Sequence, residues 1–579
     1  MTYQPATSYL VTCYLLTILR PMLRRRLVML LLPLLLLLLS GAVLGCYFET
    51  NDDLTIVALL RGETAAVPVT ELYLYFHGYA WFWSRLYAVA PLVPWYGLTL
   101  YGLLYVATVG IFVVLWRLLR PHAGRWQVLA VLMLFWSVAW LEHGLWFNYM
   151  RVPLLLAGVG VLFAAQRAPA RWALAVGLLA FGLSWLIRPS AAVLGAAVAA
   201  PGAWWLAGRK GLPVLAGAVV WALAGALWLN LTWPPAAATF RRLDVLKSNL
   251  NDFQLTAPPA QPLTPADSLG LAEARAWMFP DSALVNEPLF ARVAPFRPGY
   301  FLQKTAPVKI LALLQQLPRD YFSLLLLLAA TWALVGRGTG RRWFWLVQLG
   351  YAGLLLGLGT LLKLPPRLAL PLLDFWVIGN LLLVFRSEAA PRRAVPLLLA
   401  ALLVAAVPYG YKIWHRSHTL AQEQQRNYQR REDLHKLAGT ADIVVSDLWE
   451  ETYKSQSPLT EGHPPGIYAF RIIKPRKHLS LLGWQTLHPS QPALRQQLTG
   501  SRDFTGALQQ LGQRPDVAWL LSPEGAALLN RHLALRRQPG QPLLQLVPVQ
   551  PNRRTRKNAM HAYLFRVKFP QSSSKAKIL

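Results

Sequence analysis

The sequence predicts an all-α polytopic membrane bundle of about eleven transmembrane helices, N-terminus inside and C-terminus outside, with a small external α/β domain at its C-terminal end. Three observations predict it. Of the 579 residues, 55% are hydrophobic and only 14% are charged, where a soluble chain carries about a quarter charged residues. The apolar residues gather into runs of roughly 17 to 22, the length that crosses ~30 Å of hydrocarbon as a helix. Beyond residue 415 those runs shorten and alternate between strand-like and helix-like patterns, the mark of a small mixed domain.

Residues 1–26 read as a cytoplasmic lead. The spans follow at 27–47, 95–117, 126–142, 151–166, 172–188, 190–207, 212–233, 321–336, 343–362, 368–386 and 395–413, which makes 27–414 the membrane domain. The stretch LYLYFHGYAWFWSRLYAVAPLV (72–93) is also apolar. Its Trp and Tyr content places it in the interface, where amphipathic rings settle. It belongs to a first external loop, 48–94. A second external loop, 234–320, is rich in proline, contains the helical pattern DSLGLAEARAWMF, and ends in the amphipathic APVKILALLQQLPRDY, expected to lie on the surface. The external domain, 415–570, opens with a polar helix closed by Gly439. Strand-like runs (ADIVVSD, GIYAFRI, DVAWLLS, LLQLVPV, AYLFRVK) then alternate with helix-like ones (FTGALQQLGQ, PEGAALLNRHL), and 571–579 reads as a disordered end.

Charge fixes the expected sidedness. In this scheme the loops on the N-terminal side carry Arg20, Arg24, Arg25, Arg26, Arg117, Arg120, Arg125, Arg167, Arg171, Arg209, Lys210, Arg337, Arg341, Arg342, Arg386, Arg392 and Arg393, against the single acid Glu388. Positive loops stay inside. Much of the +31 net charge is therefore a topology signal, and the basic loops are too short to form a nucleic-acid face. The external domain is basic as well, which suits anionic head groups, an anionic glycan or simple solvation. Cys13 and Cys46 fall on opposite sides, so no disulfide is expected between them. VLGC at 43–46 resembles a lipoprotein cleavage site only weakly, and NLT at 230–232 lies too near the membrane to be glycosylated easily. The chain has no Walker A loop, HExxH, CxxC or GxSxG, so an ATP-driven pump, a zinc protease and a serine hydrolase are not indicated. No nucleotide or redox cofactor is expected.

The ionisable residues on the outer side carry the chemistry. Asp52 and Asp53, in CYFETNDDLTIVALLRG, follow the first span at once. Adjacent acids repel at a low-dielectric edge, and a metal ion, an arginine or a raised pKa relieves them. One would then serve as general base while its neighbour orients substrate or a cation; the plain alternative is a polar helix stop. Arg151 and Arg188 stand at outer ends of spans, against the positive-inside trend, and Lys363 with Arg367 forms a second outer cationic pair in LLKLPPRL. A guanidinium fork suits phosphate; the alternative is snorkelling to head groups. Asp374 lies within the tenth span, and an acid there is a candidate site residue by default. His77 is an interfacial residue that would also face the site.

The order of these features resembles the GT-C superfamily of membrane glycosyltransferases: one span, an Asp-Asp pair, an interfacial segment, a many-helix bundle and an outer C-terminal domain. NDDLTIVALLRG followed by LVPWYGLTLYGLL is similar to a group of bacterial multi-spanning proteins placed near that superfamily. The resemblance implies transfer of a sugar from a polyprenyl-phosphate carrier to a glycan, lipid or protein acceptor on the outer face of a bacterial inner membrane, with Asp52 or Asp53 as catalytic base. It implies a second acidic site at Glu142, beside His143 in LEHGLWFNYMR. Asp53, Glu142 and His143 would then hold a divalent ion, Mg or Mn. The leaving group would be the carrier phosphate, so Arg188, Arg151, Lys363 and Arg367 would stabilise its charge. Two rivals stand beside this reading. One is a transporter or flippase for a lipid-linked or anionic solute, with Asp374 relaying protons. The other is a non-catalytic envelope-assembly protein that uses its tail for binding.

Overall fold

The computed structural model describes residues 26–335, 341–386, 393–461, 476–537, 544–549 and 563–568. The expected strand GIYAFRI and the end 571–579 lie outside them, as does the N-terminal lead up to Arg26.

Apolar runs become helices because lipid leaves backbone groups no other partner. In chain order these are α1 (Arg26–Leu44), α4 (Trp95–Leu119), α5 (Arg125–Phe135) with a π-turn at Trp136–Trp140, α7 (Arg151–Gln166), α8 (Arg171–Ile187), α9 (Pro189–Ala207), α10 (Leu212–Thr232), α15 (Ala306–Leu334), α16 (Arg341–Leu361), α17 (Pro366–Phe385) and α18 (Ala394–Ala438). Each expected span overlaps a helix, though the first, 27–47, outruns its helix at Leu44 and reaches the strand at Tyr47. Among the described residues six helical stretches are long and apolar enough to cross a membrane: Arg26–Leu44, Trp95–Leu119, Pro189–Thr232, Arg342–Leu361, Pro366–Phe385 and Ala394–Ala438. They make the chain a membrane protein. The helices at Arg125–Trp140, Arg151–Gln166 and Arg171–Ile187 are apolar but shorter.

Helix α17 runs through the middle of the bundle, with its residues from Ala369 to Leu382 buried. Small residues let its neighbours close in: a Cβ added at Gly195 of α9 would collide with the backbone carbonyl of Leu154 in α7. Such contacts replace the hydrophobic drive that is missing between helices in lipid. Leu35, Leu38 and Leu39 of α1, and Val219, Val220 and Leu223 of α10, stay exposed, as lipid-facing residues do.

The outer segments are more ordered than a loop reading suggests. Between α1 and α4 lie β1 (Tyr47–Phe48), α2 (Asp52–Arg61) and α3 (Tyr79–Val89). The 11 residues of α3 reach only about 16 Å, short of the ~30 Å of a hydrocarbon core. Between α5 and α7 are α6 (Glu142–Leu145) and β2 (Trp146–Phe147). The loop after α10 holds α11 (Pro235–Asn251), α12 (Pro265–Arg275), α13 (Glu287–Val293) and α14 (Pro298–Tyr300). The amphipathic stretch is continuous with the next apolar helix and bends at Tyr321 (φ −125°, ψ 23°), three residues after Pro318, whose ring removes a helical hydrogen bond.

The expected boundary at 414/415 is not a break. Helix α18 carries on for 45 residues, about 70 Å, so the polar helix of the tail is the last apolar helix prolonged. The tail then folds on β3 (Ile443–Ser446), β4 (Lys477–Ser480), α19 (Gln491–Thr499), α20 (Phe504–Gly512), β5 (Val517–Leu521), α21 (Pro523–Leu535), β6 (Gln545–Pro548) and β7 (Tyr563–Lys568). The five-stranded sheet has the order β4-β3-β5-β7-β6. Strands β3, β4 and β5 are parallel, and β7 and β6 are antiparallel. Strand β4 escapes sequence reading because KHLS is short and has only one apolar residue, Leu479. The tail is no appendage: Val444, Trp449, Tyr453 and Trp484 share one apolar core with the bundle.

Replacing Gly195 by Val should lower the thermal unfolding midpoint in detergent by the equivalent of about 1–3 kcal/mol, the usual cost of overpacking. Gly353→Val, at an open position on α16 with nothing within 4 Å of a Cβ, should leave it unchanged. Equal effects would show that the α7–α9 contact is not tight.

Candidate functional site

The site begins where the chain leaves α1. Gly45 turns it in the left-handed region (φ 82°). β1 then pairs in parallel with β2, Tyr47 opposite Trp146 and Phe48 opposite Phe147. Two residue pairs suffice to align the segments beyond them. The Glu49 amide donates to the Phe147 carbonyl at 2.7 Å, and Asn148 Nδ2 donates to Thr50 Oγ1 at 3.3 Å. The loop before α2 and the loop before α7 therefore run side by side.

NDDLTIVALLRG is a helix rather than a loop, closed by Gly62 (φ 74°). Its carboxylates occupy the first turn, where the helix dipole favours negative charge. Consecutive helical residues point about 100° apart, and the two acids meet different surroundings. Asp53 is fully buried. Its Oδ1 accepts from the Tyr96 hydroxyl at 2.8 Å and from the Tyr149 amide at 3.3 Å, and its Oδ2 accepts from Asn148 at 3.3 Å. Burial, more than any partner, pushes its carboxyl well above the ordinary range; the neighbouring Asp52 adds to the rise. Asp52 is only half-buried. It accepts from Trp484 Nε1 at 3.0 Å and from Thr50 at 3.3 Å. Trp484 comes from the loop after β4, so the tail domain contributes directly to the acidic pair.

Below this lies an ion network. Glu49 accepts from Arg151 at 2.9 Å and from Arg367 at 3.1 Å. Arg151 is completely buried and also reaches His143 Nδ1 at 3.3 Å and the Glu142 carbonyl at 3.4 Å. A guanidinium only donates, so His143 Nδ1 accepts, and Nε2–H donates to Asp374 Oδ2 at 2.7 Å. Glu142 accepts from the Tyr409 hydroxyl at 2.7 Å and pairs with Arg416.

Arg188 stands at the junction of α8 and α9, where Pro189 starts the second helix. It is half-buried, 5.1 Å over the Tyr75 ring. That ring packs on Tyr149 at 5.5 Å and on Trp484 at 5.6 Å. Tyr149 registers the whole arrangement. Burial pushes its hydroxyl up to about 12, Arg188 and Arg367 oppose the rise, and Asp52 and Asp53 add to it. Two carboxylates and two guanidiniums thus act electrostatically on one phenol. His77 sits beside Arg188, held down to about 4 by burial and by the charges of Arg188 and Arg241.

The structure thus brings together Asp52, Asp53, Arg188 and Arg367, with Arg151, His143 and Asp374 linked to them through Glu49. It does not bring in Lys363, which is exposed and pairs with Asp252 at 3.5 Å. The metal set expected from Asp53, Glu142 and His143 does not assemble. Each of the three is turned to partners of its own, and Arg151 supplies the positive charge between Glu142, His143 and Glu49. Among the described residues no three His, Cys, Asp or Glu side chains group as metal ligands. Sequence reading missed Glu49, Tyr96, Asn148, Tyr149 and Trp484. FNYMR, just ahead of a buried arginine, was a usable signal for Asn148 and Tyr149. Nothing local marks Trp484, which lies 432 residues from Asp52. No family model, curated protein or solved structure matches this chain.

Arg151→Ala would leave Glu49 and His143 buried without their shared donor. It should cost roughly 3–5 kcal/mol, read as a large fall in the unfolding midpoint. Lys363→Ala should stay within about 0.5 kcal/mol; similar effects for both would refute this division. Asp53→Asn should keep or raise the midpoint, since it removes a charge that burial disfavours. Because the folded-state pKa is raised, the wild type loses stability as pH rises through it. The advantage of Asn should therefore grow with pH in paired melts, and an advantage growing towards acid would contradict the buried neutral form.

Proposed function

We propose that the protein is a multi-pass membrane glycosyltransferase of the GT-C kind, moving a sugar from a polyprenyl-phosphate carrier to an acceptor hydroxyl outside the cytoplasm. In this reading the eleven apolar helical segments all cross, the N-terminus is inside, and the tail faces the outer compartment of a bacterial inner membrane. The observation that carries the proposal is the half-buried Asp52 carboxylate, linked through Trp484 and Tyr75 to Arg188 and close enough to Arg367 to act on its charge. This is a base beside cations, the pairing that attack by a hydroxyl and departure of a phosphate require.

Asp52 takes the proton of the acceptor hydroxyl as its oxygen bonds to the anomeric carbon. The bond from that carbon to the carrier phosphate breaks on the opposite face, so configuration inverts. Arg188 and Arg367 hold the departing phosphate oxygens. Glu49 orients Arg367 and is itself anchored by Arg151, which makes Arg151 a positioning residue and not a phosphate ligand. Asp53, buried and hydrogen-bonded by Tyr96, holds the first turn of α2 and so fixes where Asp52 stands. No step is assigned to a metal ion.

The test is a glycan comparison by mass spectrometry of surface polysaccharide, lipid and protein. Cells with the intact gene, a deletion, and the deletion rescued at matched levels by Asp52→Asn are compared. A sugar absent from the deletion and not restored by Asp52→Asn is expected, with activity down by about 10²–10⁴-fold, the usual contribution of a general base. Full restoration would remove Asp52 from the chemistry and put the transporter or assembly reading first. Sidedness is checked separately in a Cys13→Ser background. Gln513→Cys should react with an impermeant maleimide in spheroplasts, and Arg209→Cys only after lysis.

A further inference from the structure

The tail domain has a crevice that the reaction above does not use. It encloses about 400 Å³, enough for a small ligand. It lies at the carboxyl ends of the three parallel strands, where Asp447 follows β3, Leu481 and Leu482 follow β4, and Ser522 follows β5. With the order β4-β3-β5, the chain moves to one side of β3 for β4 and then to the other side for β5. The connections diverge between β3 and β5, and in open parallel sheets ligands bind at that divergence. The far wall comes from the membrane domain: Ala272, Ala276 and Met278 belong to the segment containing α12. That segment is fixed to the tail by Glu273, buried against His532 Nδ1 at 2.7 Å, and by the Gly483 amide, which donates to the Trp277 carbonyl at 2.8 Å. The crevice is thus both a switch-point cleft and a cleft between two parts of the chain, two places where ligand sites concentrate.

Its chemistry narrows the ligand. Asp447 is 4% exposed and accepts from the Ser522 amide at 2.9 Å and from the Ser522 hydroxyl. A carboxylate has about four lone-pair sites, so it retains capacity for a further donor. Gly525 is required beside it, because a Cβ there would collide with the carboxylate. The negative charge already occupies the N-terminal end of α21, the place an anionic ligand would seek, so a phosphate is disfavoured. Leu481, Leu482 and Met278 offer an apolar wall for C–H faces, and the exposed Glu524 and Arg531, of opposite charge, also line the crevice. A fixed carboxylate, an apolar wall and no vacancy for an anion fit a neutral polyhydroxylated ring. The crevice also adjoins the acidic pair through the chain. Leu482 lines it, and Trp484, whose Cα is at most about 7 Å further on, donates to Asp52.

We propose that this switch-point crevice binds a neutral glycosyl unit of the acceptor, with Asp447 accepting hydroxyl hydrogen bonds. The role of that unit as acceptor rests on the glycosyltransferase reading; the binding itself does not. The test uses the full chain in nanodiscs and saturation-transfer NMR. The probes are the methyl glycosides of glucose, galactose, mannose and N-acetylglucosamine, with inorganic phosphate, observed by phosphorus line broadening, as the anionic comparator. At least one glycoside should receive saturation. Ala527→Trp, which fills the crevice from an exposed helical position without disturbing Asp447, should abolish the signal. Asp447→Asn should weaken binding about tenfold, the loss of one charge-assisted hydrogen bond. Asp52→Asn should retain binding, so loss of sugar transfer with binding intact separates the two sites. If no glycoside binds, if Ala527→Trp leaves binding unchanged, or if phosphate binds instead and is lost in Ala527→Trp, the proposal is overturned. If glycoside binding holds but Asp52→Asn restores the cellular glycan, the crevice stands and the glycosyltransferase reading fails.

Discussion

The face of the helix bundle that meets the tail is organised by the carboxylate of Glu49. It holds two guanidiniums at once, Arg151 from the start of α7 and Arg367 from the start of α17. Neither cation would be stable alone at that depth, since removing a charge from water costs several kcal/mol unless it is paired and hydrogen-bonded. The short parallel ladder of β1 and β2 puts Glu49 where it can do this. Remove the ladder and there is no reason for the loop after α1 to lie against the loop before α7. The acid would then have no arginine, and Asp53 would lose the Asn148 and Tyr149 donors that accompany its burial.

From that constraint the contrast between neighbouring aspartates follows. Asp53 is turned inward to three donors, while Asp52 is half-buried against Trp484, whose ring packs on Tyr75 beneath Arg188. The repulsion between adjacent acids is relieved on one side by burial, which favours the protonated form, and on the other by the nearby cations. Burying a carboxylate so that its neighbour can be aimed is unfavourable for stability, and such expense is common where geometry serves chemistry.

The tail completes the arrangement. Trp484 closes over Asp52, and Glu461 anchors the same region from the other side, pairing with Arg61 at the end of α2 at 2.7 Å and accepting from Tyr87 at 2.6 Å. Helix α18 carries the tail outward without a joint, and residues from the sheet enter the core of the bundle. The surroundings of Asp52 are therefore shared between the membrane domain and the tail.

Composition and periodicity alone determined that the chain lies in a membrane, where its apolar helices run and that an α/β unit follows them, because hydrophobic length and alternation are local properties. They also singled out Asp52, Asp53, Arg151 and Arg188, since charges at the outer ends of apolar segments are conspicuous. What local pattern does not contain is pairing. That Glu49 is the partner of Arg151 and Arg367, that His143 answers Asp374, that Trp484 reaches Asp52, and that Lys363 stands apart with Asp252 were all decided by tertiary structure. Each depends on which helices pack side by side and on a two-residue ladder too short to show in any periodicity. The same holds for Asp53, Glu142 and His143: three acceptable ligand types were legible, but where each side chain turns was a matter of three-dimensional packing, with Arg151 set against Glu142 and His143.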